Sequence, residues 1–156
     1  MLIQGKILSY GDDLSDVYEI RRKVFVDEMN ILEEEEFDGQ DDMAMHVIVY
    51  EEAGSKKAVA TGRIRFDGSV CEIDHIAVLK EYRNKKYGDF TVRMLLNKAF
   101  VAGIHDIKCI VFTNTIGFFE KIGFHRNNDI IMNNNHEFYE MSINMKDVIT
   151  TCHKKT

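Results

Sequence analysis

The sequence predicts a mixed α/β (α+β) fold in which a mostly antiparallel sheet of about seven strands is flanked by helices. Three observations carry this. Short apolar runs with strand character recur along the chain, two longer segments repeat apolar residues at helical spacing, and no repeat, linker or composition break divides them. At 156 residues, 45% of them hydrophobic, the chain is long enough to bury a core without staples, and it reads as one domain over residues 1–156.

Residues 2–9 (LIQGKILS) suit a first strand. Asp12 or Asp13 can cap a helix running to about Asp27, with Leu14, Val17, Val24 and Phe25 near one face. An acidic segment follows, Glu33 to Glu36 with Asp38, Asp41 and Asp42. Met43–Glu52, Lys57–Phe66 and Ser69–Leu79 read as three successive strands, separated by Gly54-Ser55 and by the hairpin dipeptide Asp67-Gly68, hence an antiparallel meander. A second helix is expected over Tyr87 to Ala102, with Leu95, Ala99 and Ala102 on its apolar face, Phe90 and Met94 beside them, and Gly103 as its stop. Ile107–Phe112 is a continuous apolar run, the pattern of a fully buried strand. A short helix near Thr115–Lys121, a strand opened by Gly123-Phe124 and a last strand over Glu137–Met145 complete the chain.

Composition removes several classes of function. No apolar run approaches the roughly 20 residues of a membrane span, and the N-terminus lacks the pattern of a signal peptide. A net charge of −6 argues against a nucleic-acid-binding surface. Cys71, Cys109 and Cys152 form no CxxC pair; the first two sit in strand-like runs and read as buried, reduced thiols, pointing to the cytoplasm. No histidine pair has the spacing of a helical metal site, so no metal is expected.

The stretch Ile73 to Gly88, IDHIAVLKEYRNKKYG, is the most informative. A strand ends at Leu79, a polar loop carries Lys80, Arg83, Lys85 and Lys86, and a helix begins near Tyr87 or Gly88. The start of a helix favours a phosphate, and the cations add to it. With Arg83 and Gly88 in place, this loop resembles the pyrophosphate loop of the GNAT superfamily of acyl-CoA-dependent N-acetyltransferases. Thr113–Phe124, TNTIGFFEKIGF, is similar to that family's second cofactor segment through Asn114, Glu120, Lys121, Gly123 and Phe124. Arg21 to Glu28 (RRKVFVDE), Glu36 to Asp41 (EFDGQD) and His46 resemble a bacterial subgroup of the same family, with Met29 in place of its usual glutamine.

The resemblance implies a sheet in which two adjacent parallel strands, here Ser69–Leu79 and Ile107–Phe112, splay apart to admit acetyl-CoA as co-substrate. It implies that the backbone of Ile76, Ala77 and Val78 meets the pantetheine. It further implies that the loop Arg83, Asn84, Lys85, Lys86, Tyr87, Gly88 and Asp89 holds the pyrophosphate, with Asn114 and Phe119 on the cofactor from the second strand and its helix. The expected reaction is direct transfer of an acetyl group to a primary amine, of a small molecule or a peptide, in a ternary complex. A base must take the amine proton. The family often places it on the strand before the loop, where Glu72 and Asp74 stand at i, i+2; their spacing puts them on one face with Ile76 and Val78, and His75 on the other. The alternative for both is a carboxylate that faces solvent at the sheet surface or pairs with lysine.

Two positions depart from the family pattern. Lys86 stands where a glycine belongs, at a cost of roughly 1–2 kcal/mol if the backbone there needs positive φ. Phe119 stands where most members carry a tyrosine that protonates the leaving thiolate; Tyr139 or water is the substitute. These departures motivate a second reading, a catalytically weakened acyl-CoA-binding module. The acidic segment 33–42 is either a solvated loop or part of an acceptor site that attracts a cationic amine. Arg21 is expected to pair with Asp38 or Asp41. The segment is also similar to one in acyl-homoserine-lactone synthases, but their tryptophan-bearing N-terminal segment is impossible in a chain with no Trp. An exposed edge in the C-terminal strands would allow a homodimer.

Overall fold

The computed structural model describes residues 1–133 and 135–150, so Cys152 lies outside the described residues. Seven strands form one sheet in the order β1-β2-β3-β4-β5-β7-β6. They are β1 (Leu2–Leu8), β2 (Met45–Ala53), β3 (Ser55–Asp67), β4 (Val70–Val78), β5 (Asp106–Phe112), β6 (His125–Asn133) and β7 (His136–Asn144). β2, β3 and β4 form the expected antiparallel meander, with Gly54 (φ +91°) and Gly68 (φ +65°) turning its two tight hairpins, and β1 joins β2 antiparallel at its edge. Helix α3 (Tyr87–Val101) crosses from β4 to β5, and that crossover is what makes this one pair parallel. The strand β6 is a free edge on which Ile130 and Met132 are exposed.

Parallel pairing of β4 with β5 covers only Cys71↔Ile107, Glu72↔Lys108 and Ile73↔Cys109. Past that point the strands separate and leave a wedge between residues 74–78 and 110–112. A β-bulge opens at the same level. Arg63 pairs with Asp74 and Thr61 with Ala77, so His75 and Ile76 together face Gly62. His75 takes φ +50° there. Gly62 has no alternative, because a Cβ on it would lie 2.8 Å from Leu95 Cδ1 and 2.9 Å from Ile76 Cδ1.

The bulge overturns one expectation about β4. Strict alternation would keep Glu72, Asp74, Ile76 and Val78 on one face, with His75 opposite. The extra residue instead shifts the alternation: Ile76 and Val78 join Cys71 and Ile73 against α3, while His75 turns to the face of Asp74 and Ala77.

Each sheet face is covered differently. On one, Val92, Leu95, Leu96 and Ala99 of α3 and Phe119 and Ile122 of α4 (Ile116–Ile122) pack on Ile64, Ile73, Cys109 and Val111. Truncating a fully buried residue there, such as Leu95 to Ala, costs about 2–5 kcal/mol. On the other, Val17 and Ile20 of α1 (Ser15–Arg21), with Val24 and Phe25 of the π-helical stretch Arg22–Glu28 that continues it, cover Ile48, Ala77 and Leu79. The expected uninterrupted helix to Asp27 thus changes hydrogen-bond pattern midway, and Met29 N–H closes it on the Val24 carbonyl.

Two further expectations are corrected. The buried stripe of α3 runs through Thr91, Val92, Leu95, Leu96 and Ala99; Phe90 and Ala102 are exposed because the helix lies across β2–β4 along that stripe. Likewise β5 alternates, with Ile107, Cys109 and Val111 buried and Lys108 and Ile110 exposed, because helices cover only one of its faces.

Candidate functional site

The loop between β4 and α3 is built to leave its amides free. Leu79 N–H bonds to the Val59 carbonyl and Tyr82 N–H to the Leu79 carbonyl, closing the strand into the 3₁₀ turn Lys80–Tyr82. Beyond it, Asn84 (φ +63°) and Lys86 (φ +70°) adopt left-handed backbone. Successive amides that alternate between right- and left-handed conformations turn their N–H groups into one concavity, which suits an anion. Among the described residues, none accepts a hydrogen bond from the backbone N–H of residues 84–89, and Phe90 N–H is the first to return into the helix, to Lys86. Helix α3 adds its positive end, and Lys80, Lys85 and Lys86 are exposed around it. The positive φ that a glycine would supply is therefore required at Lys86 and is met by a lysine.

Arg83 serves the loop differently. Its Nε donates to the Val78 carbonyl (3.0 Å), and its two Nη atoms grip the Glu28 carboxylate at 2.7 and 2.8 Å. That bond holds the Glu28 carboxyl below its ordinary range, against the effect of burial. The Arg83 side chain thus ties the loop to the strand end and to the π-helical stretch. Gly88 lets α3 start close to Phe118 and the end of β4, since a Cβ there would sit 3.3 Å from Phe118 Cζ and 3.5 Å from Val78 Cγ2.

The wedge supplies backbone groups. Leu79 and Ala77 point their polar groups at β3, so by alternation those of Ile76 and the Val78 N–H face the gap left by β5, while the Val78 carbonyl there is taken by Arg83 Nε. Ala77 lines the wedge by position alone. Asn114 is exposed in the 3₁₀ turn Thr113–Thr115 that ends β5. Phe119 is 4% exposed, its ring edge-on to Phe118 and Phe124 (centroids 4.9 and 5.4 Å). Tyr139 lies opposite Val111 on β7 and packs on the α3–α4 side, one strand beyond the wedge.

Glu72 and Asp74 are ion-paired. Arg63 grips Asp74 with a two-pronged contact, Nε to Oδ1 at 2.8 Å and Nη2 to Oδ2 at 2.9 Å, and Arg65 adds 2.8 Å to Oδ2. Burial works against ionisation of Asp74, but the Arg63 bonds, with His75 and Arg65 nearby, hold its carboxyl below the ordinary range. Glu72 pairs with Arg65 at 3.2 Å.

The acidic segment is neither a solvated loop throughout nor a free lure for amines. Short helix α2 (Glu33–Glu36) and the turn after it send Glu36 and Asp41 inward. Arg21 donates to Glu36 Oε2, to the Glu36 carbonyl and to Asp41 Oδ1, each at 2.7 Å. Arg63 Nη1 reaches Asp38 and Asp41, both at 3.0 Å. The expected Arg21–Asp41 pair is present, and Glu36 takes the place considered for Asp38. Burial opposes ionisation of Asp38, and the Arg63 and Gln40 hydrogen bonds overcome it, leaving that carboxyl well below its usual range. Buried His46 bonds through Nε2 to the Asp41 carbonyl (3.1 Å), and burial lowers its pKa.

Sequence reasoning missed two partners here. Arg63 is the hub of the network, and His75 reaches Glu36 Oε2 through Nδ1 at 2.7 Å. Cys71 is pushed up to about 12 by burial, and burial drives Cys109 well above its usual value, so neither is a nucleophile. Among the described residues there is no cluster fit to hold a metal ion, and no helix is long and apolar enough to cross a membrane.

Comparison with known proteins agrees with this geometry. Residues 14–124 match the model of the acetyltransferase (GNAT) family. The uncharacterized N-acetyltransferase YjcF of Bacillus subtilis (strain 168) is 29% identical over 122 residues, covering 78% of this chain and 85% of that protein. Among solved structures, an acyl-CoA N-acyltransferase from Pseudomonas aeruginosa superposes with TM-score 0.79 at 14% identity, covering 91% of this chain and 99% of the other. The PaiA N-acetyltransferase of Thermoplasma acidophilum, in complex with coenzyme A, gives TM-score 0.68 at 16% identity over 92% and 99%.

Proposed function

This chain belongs to the acetyltransferase (GNAT) family, and from that premise we propose that it transfers an acetyl group from acetyl-CoA to a primary amine by direct attack in a ternary complex. The observation that carries this reading is the row of partnerless N–H groups at residues 84–89, beside a wedge that opens past Ile73. The amides from Asn84 to Asp89 cradle the pyrophosphate, Arg83 anchors the start of the loop, and Lys85 and Lys86 add charge. Ile76 and Val78 offer backbone groups to the pantetheine, and Asn114 bounds the cofactor arm beyond β5.

In the reaction the amine nitrogen attacks the thioester carbon, the C–S bond breaks, and coenzyme A leaves as a thiolate. Phe119 has no proton to give it. A thiol near pKa 8.5 makes a tolerable leaving group, so water or Tyr139 completes the step. The acceptor is a small-molecule or peptide amine. We read residues 1–156 as one catalytic domain, working in the cytoplasm, where Cys71 and Cys109 stay reduced.

Phe119 and Lys86 favour a second reading, an acyl-CoA-binding module with weakened turnover. Release of coenzyme A thiol from acetyl-CoA, followed with and without a panel of primary amines, separates the two. Amine-dependent release with formation of the N-acetyl product supports transfer. Tight acetyl-CoA binding with no release above background supports the module and overturns the enzyme reading.

A further inference from the structure

We propose that His75 accepts the proton of the acceptor amine and that Glu36 positions it for that task, an inference that rests on the acetyl-transfer reading above. The two carboxylates on β4 are poorly suited. Both oxygens of Asp74 are held by Arg63, and one also by Arg65. Glu72 is paired with Arg65 and lies where β4 and β5 are still joined, opposite Lys108.

His75 stands two residues past the last parallel pair, inside the opening of the wedge. The bulge turns its ring away from the α3 and α4 side to the opposite face, where its side chain keeps 17% exposure and where the proposal has the acceptor enter. There it meets the Phe25 ring edge-on at 6.0 Å. Its backbone is strained at φ +50°, and such strain in a residue other than glycine tends to mark functional sites.

Glu36 fixes the ring's chemistry. A carboxylate only accepts, so the 2.7 Å contact places the proton on Nδ1 and leaves the Nε2 lone pair free. Glu36 cannot swing away, because Arg21 binds both its Oε2 and its carbonyl, and its side chain is 3% exposed. Asp38 Oδ2 lies 4.0 Å from Nε2, too far for a hydrogen bond, so the lone pair there stays open. The amine arrives as an ammonium and gives one proton to Nε2. Its freed lone pair attacks the thioester carbon. After the C–S bond breaks, the nitrogen's surplus proton passes to the thiolate or to water, and His75 returns its own to solvent.

The test compares two acceptors at pH 7. Phenethylamine is protonated there and carries a ring suited to the face bordered by Phe25, Phe112 and Phe138, whereas hydroxylamine is largely neutral. The variant His75→Asn keeps a residue that tolerates positive φ. It is expected to lower kcat/KM about 100-fold with phenethylamine, in the range of general-base effects, and by less than about fivefold with hydroxylamine, with acetyl-CoA affinity unchanged. Equal losses with both amines, or no loss with phenethylamine, would overturn the proposal. If the wild-type protein releases no thiol with any amine of the panel, the transfer reading fails and the proposal with it, whereas transfer that His75→Asn leaves intact overturns the proposal alone. Nitrogen NMR of the wild type should show the proton on Nδ1 and Nε2 bare, and Glu36→Gln, which keeps an oxygen for Arg21 Nε and His75 Nδ1 but removes the negative charge beside the ring, should lower kcat with phenethylamine. A proton on Nε2 in the wild type contradicts the proposal.

Discussion

Two charged regions flank the wedge, and they differ in what their hydrogen-bonding groups have found. In the network of Arg21, Arg63, Glu36, Asp41 and Asp74, the guanidiniums are gripped by carboxylates at 2.7–3.0 Å, and all but the partly buried Asp74 are almost wholly buried. In the loop of residues 84–89 the amides have no partner, the lysines are exposed, and two residues hold left-handed backbone to keep the amides aimed together. The first region is complete within the protein and acts as structure. In the second, the loop's donors find no partner among the described residues, and it is these donors that the proposed function gives to an anion. Charge alone would have ranked them the other way, since the acidic segment is the denser cluster in sequence.

Removing a partner from the complete region should give the largest effect. Arg63→Ala leaves Asp74 and Asp41 buried with fewer partners, and breaking such a pair costs about 3–5 kcal/mol. Urea denaturation should show that loss; a change below about 1 kcal/mol would mean the network contributes little.

The opposite pattern is expected of the loop. Lys85→Ala with Lys86→Ala should weaken acetyl-CoA binding by about tenfold and flatten its salt dependence, while stability stays within about 0.5 kcal/mol of the wild type. Calorimetric titration at two salt concentrations checks it. An unchanged affinity would remove these lysines from the site.

Acid should act on the network in two stages. His46 has its pKa lowered in the fold, so below about pH 6.5 the unfolded chain takes up a proton that the folded one refuses, and stability falls as pH drops. The depressed carboxyls Asp38 and Asp74 work the same way lower down: their stabilisation is present above the unfolded value and is lost only as pH falls below about 4. Stability curves from pH 7 to 5 should slope for the wild type and flatten in His46→Gln.

The smallest effect concerns backbone strain. Lys86→Gly should relieve a left-handed lysine worth roughly 1–2 kcal/mol, partly offset by about 0.5–1 kcal/mol of glycine flexibility, so that the melting temperature rises slightly. A fall would mean that the lysine side chain holds the loop.

Much of this architecture was legible in the chain. The seven strands follow from short apolar runs and from Gly54 and Gly68, whose turns need positive φ. The ion pairs on the β3–β4 hairpin were legible too: a two-residue turn that pairs Asp67 with Val70 sets Arg65 opposite Glu72 and, two residues on, Arg63 opposite Asp74. The bulge was not. It sits opposite Gly62, where a Cβ would press on Leu95 and Ile76, a tertiary contact that no local pattern shows, and the side-chain directions past Asp74 on β4 follow from the bulge. Nor could periodicity show that Phe90 and Ala102 lie outside the packed stripe of α3, or that one face of β5 has no helix over it. The sense of Lys86 was half legible: a glycine position in a resembling loop suggested positive φ, and the backbone shows it at +70°.

The most direct test of the contrast is a titration of the folded wild-type protein with acetyl-CoA, following backbone amide signals by NMR together with the melting temperature. The account predicts that the amides of residues 84–89 and of Ile76 and Val78 shift, that the Arg21 and Arg63 side-chain signals barely move, and that the melting temperature rises by mass action. A folded protein whose melting temperature and loop amides stay unchanged at saturating acetyl-CoA would contradict it.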